Sequence, residues 1–217
     1  MDRRRAFLQR VVVLFLAGFF AFTAEASFIY PLKIFTSNGS YYNSLDLDFP
    51  VEVSEGGVGQ VDFTFHNESS INSCIASIYF DDGSLLGIAG IINGSGTLFS
   101  QSAKSSNLPA GNTLNPSFVT TNAFSIGAES PPPQNGINPY EWVKITFNLT
   151  DGKSFGNVID DLNGGALRIG AHIIALPDGS SESAVNIPEP MTTILLGLGA
   201  GLTGWRRARY KLPAAKN

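Results

Sequence analysis

Apolar and polar side chains alternate from Val58 to His66, with Val61, Phe63 and Phe65 interleaved by Asp62, Thr64 and His66. A period of two belongs to a strand with one buried face, because successive side chains of extended chain point to opposite sides. Residues 74–80 form a second strand-length run closed by Asp81, Asp82 and Gly83, and residues 85–92 a third ended by Asn93 and Gly94. Residues 118–126, 141–149 and 166–176 give three more, with 28–35 and 51–53 as expected edge strands. Only residues 154–162 read as a helix, capped by Ser154 and ended by Asn163 and Gly164. Residues 101–116, 129–139 and 179–186 are rich in Pro, Gly, Ser and Asn and are expected loops. Short strands with turns between them predict a mainly β body. The expected form is a two-sheet antiparallel β-sandwich of jelly-roll or immunoglobulin-like type.

Charge is partitioned along the chain. The 14 basic and 18 acidic residues give −4 overall, but nine of the basic ones lie in the two terminal segments. Between residues 27 and 190, five basic residues face sixteen acidic ones. An acidic body repels phosphate backbones, so no nucleic-acid partner is expected. At the N-terminus, Arg3, Arg4, Arg5 and Arg10 flank the apolar residues 11–22, and Ala24-Glu25-Ala26 follows as a small-x-small site. This is the plan of a secretory signal peptide, read by the Sec translocon and signal peptidase, with the mature chain starting at Ser27.

At the other end, Pro188-Glu189-Pro190 precedes an uncharged run from Met191 to Trp205 and then Arg206, Arg207 and Arg209. As a helix that run rises about 22 Å at ~1.5 Å per residue, against a hydrocarbon core of roughly 30 Å. An interfacial Trp205 and snorkelling arginines make a short span of the inner membrane workable, with the basic cluster on the cytoplasmic side. The expected domains are a signal helix at 1–26, a body at 27–178, a polar spacer at 179–186, and a tail at 187–217 holding one membrane-spanning helix. Residues 199–204 fit G-x-G-x-x-G, but no strand precedes them and no βαβ unit surrounds them, so dinucleotide binding is not expected.

Pro188-Glu189-Pro190, the apolar run and the arginine cluster, in that order, resemble the PEP-CTERM sorting signal of Gram-negative bacteria. The resemblance implies export, handling of the tail by the membrane protease-transpeptidase exosortase, and a host that makes exopolysaccharide or biofilm. Residues 75–82, 107–112 and 166–172 also resemble stretches in uncharacterised PEP-CTERM ectodomains, a likeness that brings no activity with it. The expected role is a structural or adhesive one at the cell surface or in the extracellular matrix, reached by way of the inner membrane.

Two other functions compete with that role. A carbohydrate-binding module needs flat aromatic platforms, and Tyr41, Tyr42, Tyr140 and Trp142 are the candidates. Trp142 stands either exposed or as the cover of a sheet edge. A secreted hydrolase needs carboxylates or an imidazole converging in a cleft. The pairs Asp46/Asp48, Asp81/Asp82 and Asp160/Asp161 are neighbours in sequence and do not face one another, and only His66 and His172 supply imidazoles. No enzyme activity and no cofactor are expected. Asp81 and Asp82 are the one calcium candidate, against a plain Asp-Asp-Gly turn. The single cysteine, Cys74, reads as a small buried hydrophobe on a strand.

Overall fold

A computed structural model describes residues 26–81, 83–101, 107–186 and 188. Its strands are β1 (Ser27–Ile34), β2 (Pro50–Glu55), β3 (Gln60–His66), β4 (Cys74–Asp81) and β5 (Leu85–Asn93), then β6 (Phe99–Ser100), β7 (Ser125–Ala128), β8 (Trp142–Leu149), β9 (Arg168–Ile174) and β10 (Glu182–Asn186). A single turn of helix, α1 (Pro132–Asn135), and the longer α2 (Phe155–Gly164) complete the body. The strands hydrogen-bond in the order β5-β8-β3-β2-β1-β10-β9-β4-β7-β6, every neighbour antiparallel.

The expected β content is present, but the strands make one nearly closed, barrel-like sheet in place of two separate ones. The join is β1. Its first half pairs with β2 as far as Pro31 opposite Pro50, and its second half pairs with β10 from Leu32 to Ile34. Just past that proline pair the Leu32 N–H still donates to Phe49 O at 3.0 Å, so β1 passes from one partner to the other without a gap. At the open seam, Asn93 at the end of β5 laces to β6: Phe99 N–H donates to Asn93 Oδ1 at 2.7 Å, and Asn93 Nδ2 donates to Phe99 O at 3.4 Å. Along the rest of its length β5 carries two register shifts against β8, which bend an otherwise apolar edge away from further pairing.

The period-two reading places the core correctly. Val61, Phe63 and Phe65 of β3 point inward with Val143, Ile145 and Phe147 of β8. They meet Ile78 and Phe80 of β4 and Ile169, Ala171 and Ile173 of β9 from the opposite limb of the sheet. Edge-to-face aromatic contacts tie the limbs together, with Phe80 centred 5.0 Å from Phe63 and 4.7 Å from Phe147. Helix α2 plugs one end with Val158, Ile159 and Leu162. Asn157 Oδ1 accepts from the Ser154 N–H at 2.9 Å, and Gly165 at φ 76 ends the helix in the left-handed region that a side chain disfavours.

Three expectations need correction. Residues 182–186, read as spacer, are the central strand β10, buried along its length between β1 and β9. The body therefore runs to Asn186 and not to residue 178. Strands β1 and β2, read as edges, lie in the middle of the sheet. Of residues 118–126 only the last two are strand: a turn from Thr121 to Phe124 with Ala123 at φ 65 breaks the run. Phe118 instead folds over the outside of the sheet with Leu108, onto Tyr79 and Val185. Gly170 permits that cover, because a Cβ there would lie 2.7 Å from Leu108 Cδ2.

Candidate functional site

Strand directions give the barrel two unlike ends. Ser27, α2, Asp81, Arg168 and Asn186 share one, so the body's first and last strands open at the same end. The loops 35–49, 67–73, 94–98, 129–141 and 175–181 crowd the other.

At the α2 end, Arg168 reaches across 52 residues to donate to Pro116 O at 2.7 Å, and it also donates to Ser117 O and pairs with Asp81. Phe118 lies against its guanidinium, 5.2 Å from the ring centre. Asp81 also accepts the Val119 N–H at 3.1 Å. The carboxylate singled out for calcium is thus taken by an arginine, whose positive charge opposes a second cation. The Asp82 side chain lies outside the described residues. Among the described residues no three His, Cys, Asp or Glu side chains converge to hold a metal ion.

Beside this network lies a groove of about 380 Å³, lined by Leu114, Pro116, Gly165, Arg168, Asn186 and Pro188. Pro188 rests on Gly165, where a Cβ would stand 3.2 Å from its Cγ. Asn186 Oδ1 accepts the Ile169 N–H at 2.6 Å, whereas its Nδ2 is buried without a hydrogen-bond partner among the described residues. Of the other sorting and cleavage residues, Ala26 and Ser27 are exposed at the start of β1. Ala24, Glu189, Pro190, Arg206, Arg207 and Arg209 fall outside the described residues, as do both apolar terminal runs. No described helix is long and apolar enough to cross a membrane.

At the loop end, Tyr140 is 82% exposed and held at φ 71 while its N–H donates to Asn67 O at 2.6 Å. It borders a cleft of about 380 Å³ with His66, Asn67, Glu68 and Glu141. Trp142 faces His66 across the β3–β8 ladder, but the Asn93–Gly94 turn lies on its indole, 3.1 Å or less from where a Gly94 Cβ would be. Trp142 is half-buried and packs under that turn. Tyr41 packs partly into the core and Tyr42 is 48% exposed. Neither lines the Tyr140 cleft, so the four aromatic candidates do not form one platform.

Several other carboxylates are taken up by neighbours in the fold. Asp62 accepts from Lys144 at 3.0 Å and Thr146 at 2.6 Å, Asp161 from Ser84, and Glu141 from the Asn138 N–H at 2.9 Å. Glu182, read from the sequence only as part of the polar spacer, is 1% exposed and accepts from Thr36 Oγ1 and, at 2.8 Å, from the Gly39 N–H. Cys74 is buried as expected, and burial together with the nearby Glu141 charge pushes its thiol up to about 12.

His172, on the face of β9 opposite the core, sits in register between Ser77 and Ser183. Burial lowers its pKa below the ordinary 6.5. The unfolded chain therefore takes up this proton first as pH falls past 6.5, so His172 leaves stability whole above that pH and erodes it below. The urea midpoint should drop more between about pH 7.5 and 5.5 for the wild type than for His172→Gln. Equal drops would show that the imidazole carries none of the acid sensitivity.

No protein-family model, characterised protein or solved structure matches this chain.

Proposed function

We propose that the chain is an exported protein of PEP-CTERM type, sorted through its tail by exosortase, whose body serves a structural or adhesive role outside the cytoplasm, in or beside exopolysaccharide. In this reading the two limbs of the curled sheet act as the layers of a sandwich-like module. The supporting observation is where the body stops. Its first strand begins at Ser27 and its last ends at Asn186, so the folded unit fills the interval between the two addressing segments. Both of those segments attach at the α2 end. A body tethered there presents its loop end outward.

Replacing Glu189 and Pro190 together by alanine tests the sorting step. In a host bearing exosortase, the intact mass of the variant should stay larger than that of the wild type by the uncut tail. The same processed mass in both would remove the proposal.

A second reading, a carbohydrate-binding module, rests on Tyr140 alone, an exposed ring standing at the outward end beside a cleft. Sugar faces stack on such rings, and Glu68 and Glu141 offer acceptors for hydroxyl groups. A glycan array probed with the full-length protein should show signal that Tyr140→Ala loses. An array blank for both proteins dismisses this reading and leaves the sorting step standing.

A further inference from the structure

The Tyr140 cleft stands in a field of one sign. The five loops at its end of the barrel carry Asp46, Asp48, Glu68, Glu129, Glu141 and Asp178, and not one lysine or arginine. The lysines of the nearby strands do not supply the missing charge: Lys144 is held by Asp62 at 3.0 Å, and neither it nor Lys33 lines the cleft. Inside the cleft, Glu141 spends one carboxylate oxygen on Asn138, whose N–H and Nδ2 donate to it at 2.9 and 3.1 Å. Glu68 is exposed, and its carboxylate has no hydrogen-bond or ion-pair partner among the described residues. The cleft is also held in shape before anything enters it. Asn67, 0% exposed, donates through Nδ2 to Ile137 O at 3.0 Å and to Ser73 O at 3.1 Å. Its main chain is bonded to those of Tyr140 and Glu141. Tyr140 is thus fixed with its side chain out in solvent, and little ordering is left to be done when a ligand arrives.

We infer that the ligand of this cleft is an amine-bearing sugar chain, one sugar laying its C–H face on the Tyr140 ring while its ammonium group pairs with Glu68. Charge selects this class. A neutral sugar meets the ring but leaves the carboxylates unanswered. An anionic polysaccharide is repelled by every loop at this end. A protonated amine is drawn both by the carboxylates and by the negative face of the aromatic ring. Its N–H groups also donate to a carboxylate more strongly than a neutral hydroxyl does. Glu141, already bonded to Asn138, holds the cleft's shape and adds to its field, so Glu68 is the group free to pair. The inference rests on the carbohydrate reading above and adds to it the charge of the sugar.

Isothermal titration of the full-length protein in detergent micelles provides the test. The probes are the glucosamine tetramer, the N-acetylglucosamine tetramer and tetralysine, in low-salt buffer acidic enough to protonate the amines. The glucosamine tetramer should bind about tenfold more tightly than its acetylated form, which keeps the ring face but loses the charge. Tyr140→Ala and Glu68→Gln should each weaken it by about threefold or more. Asp151→Asn removes an equal charge from the exposed turn after β8, at the α2 end, and should leave the affinity unchanged. Glu68 is exposed and unbonded through its side chain, so Glu68→Gln carries the test even if Tyr140→Ala disturbs its loop. Equal affinity for the two sugar tetramers overturns the inference and leaves a carbohydrate site in place. Equal losses in Glu68→Gln and Asp151→Asn reduce the binding to net charge and overturn it as well. Tetralysine bound as tightly as the glucosamine tetramer, with the same dependence on Tyr140, overturns the sugar. If neither sugar tetramer binds, the inference falls, while a Tyr140-dependent array signal from another glycan keeps the carbohydrate reading.

Discussion

Phe80→Ala should lower the unfolding free energy by about 3–5 kcal/mol, out of a total that for domains of this kind is about 5–15 kcal/mol. Phe80 projects from β4 into the rings of Phe63 and Phe65 on β3 and Phe147 on β8, at 5.0, 6.0 and 4.7 Å between centres. It links the two limbs of the curled sheet, as Phe124 also does against Phe147. Phe147 is in turn held by Phe124 at 5.2 Å and Phe63 at 5.8 Å, so the surrounding rings are fixed from behind and cannot collapse into the space left. The cavity cost is therefore retained and adds to the lost transfer energy. Leu86→Ala is the control: Leu86 is the extra residue of a bulge on β5 and is 61% exposed, so its loss should change stability by less than about 0.5 kcal/mol. Urea unfolding of both variants decides the matter. Equal midpoints would mean that Phe80 does not bridge the limbs.

The same geometry explains what could be read from the residues alone and what could not. Alternation in β3 is a local signal, enforced by burial of one face, and it located Val61, Phe63 and Phe65 correctly. Helix α2 was legible because Ser154 marks its start and Asn163 and Gly164 its end, although the helix runs through them and stops at Gly165. Strand β10 was not, because its sequence, Glu-Ser-Ala-Val-Asn, has the polarity of a linker. Its polar groups are buried because partners far along the chain satisfy them: Thr36 and Gly39 meet Glu182, and Ile169 meets Asn186. What the Asp81 carboxylate pairs with was not legible for the same reason, since Arg168 lies 87 residues away. Phe118 mimicked a strand because an outer apolar cover uses the residue types of an inner core. Tyr140 was visible as an aromatic, but the exposure that distinguishes it from Trp142 depends on the Gly94 turn lying on one ring and not the other.

Ending the chain after Ile187 should leave a folded, cooperative body, and ending it after Asp178 should not. The two endpoints differ by nine residues, and a linker at 179–186 would make them equivalent. In the structure the shorter chain loses β10 from the middle of the sheet. β1 then loses its register from Leu32 to Ile34, and β9 from Gly170 to Ile173. Thr36 and Gly39 are left without the Glu182 carboxylate, and the Ile169 N–H without Asn186. Each such group that stays buried costs about 1–3 kcal/mol, and together with the unpaired ladder groups of β1 and β9 and the lost packing the losses become comparable to a total stability of about 5–15 kcal/mol. Two apolar strand edges are also opened to other chains, so the Asp178-terminated protein should aggregate and show no thermal transition. The Ile187-terminated protein keeps every strand and lacks the apolar run and arginine cluster. It should melt within a few degrees of the full chain, by a shift of about 2–4 °C at most. Under the proposed sorting role, expression in its host should place it outside the envelope fraction expected to hold the full chain. A cooperative melt of the shorter protein at the full-length temperature would show that β10 is dispensable to the sheet. Retention of the longer one in the envelope would show that the tail beyond Ile187 is not what holds the protein there.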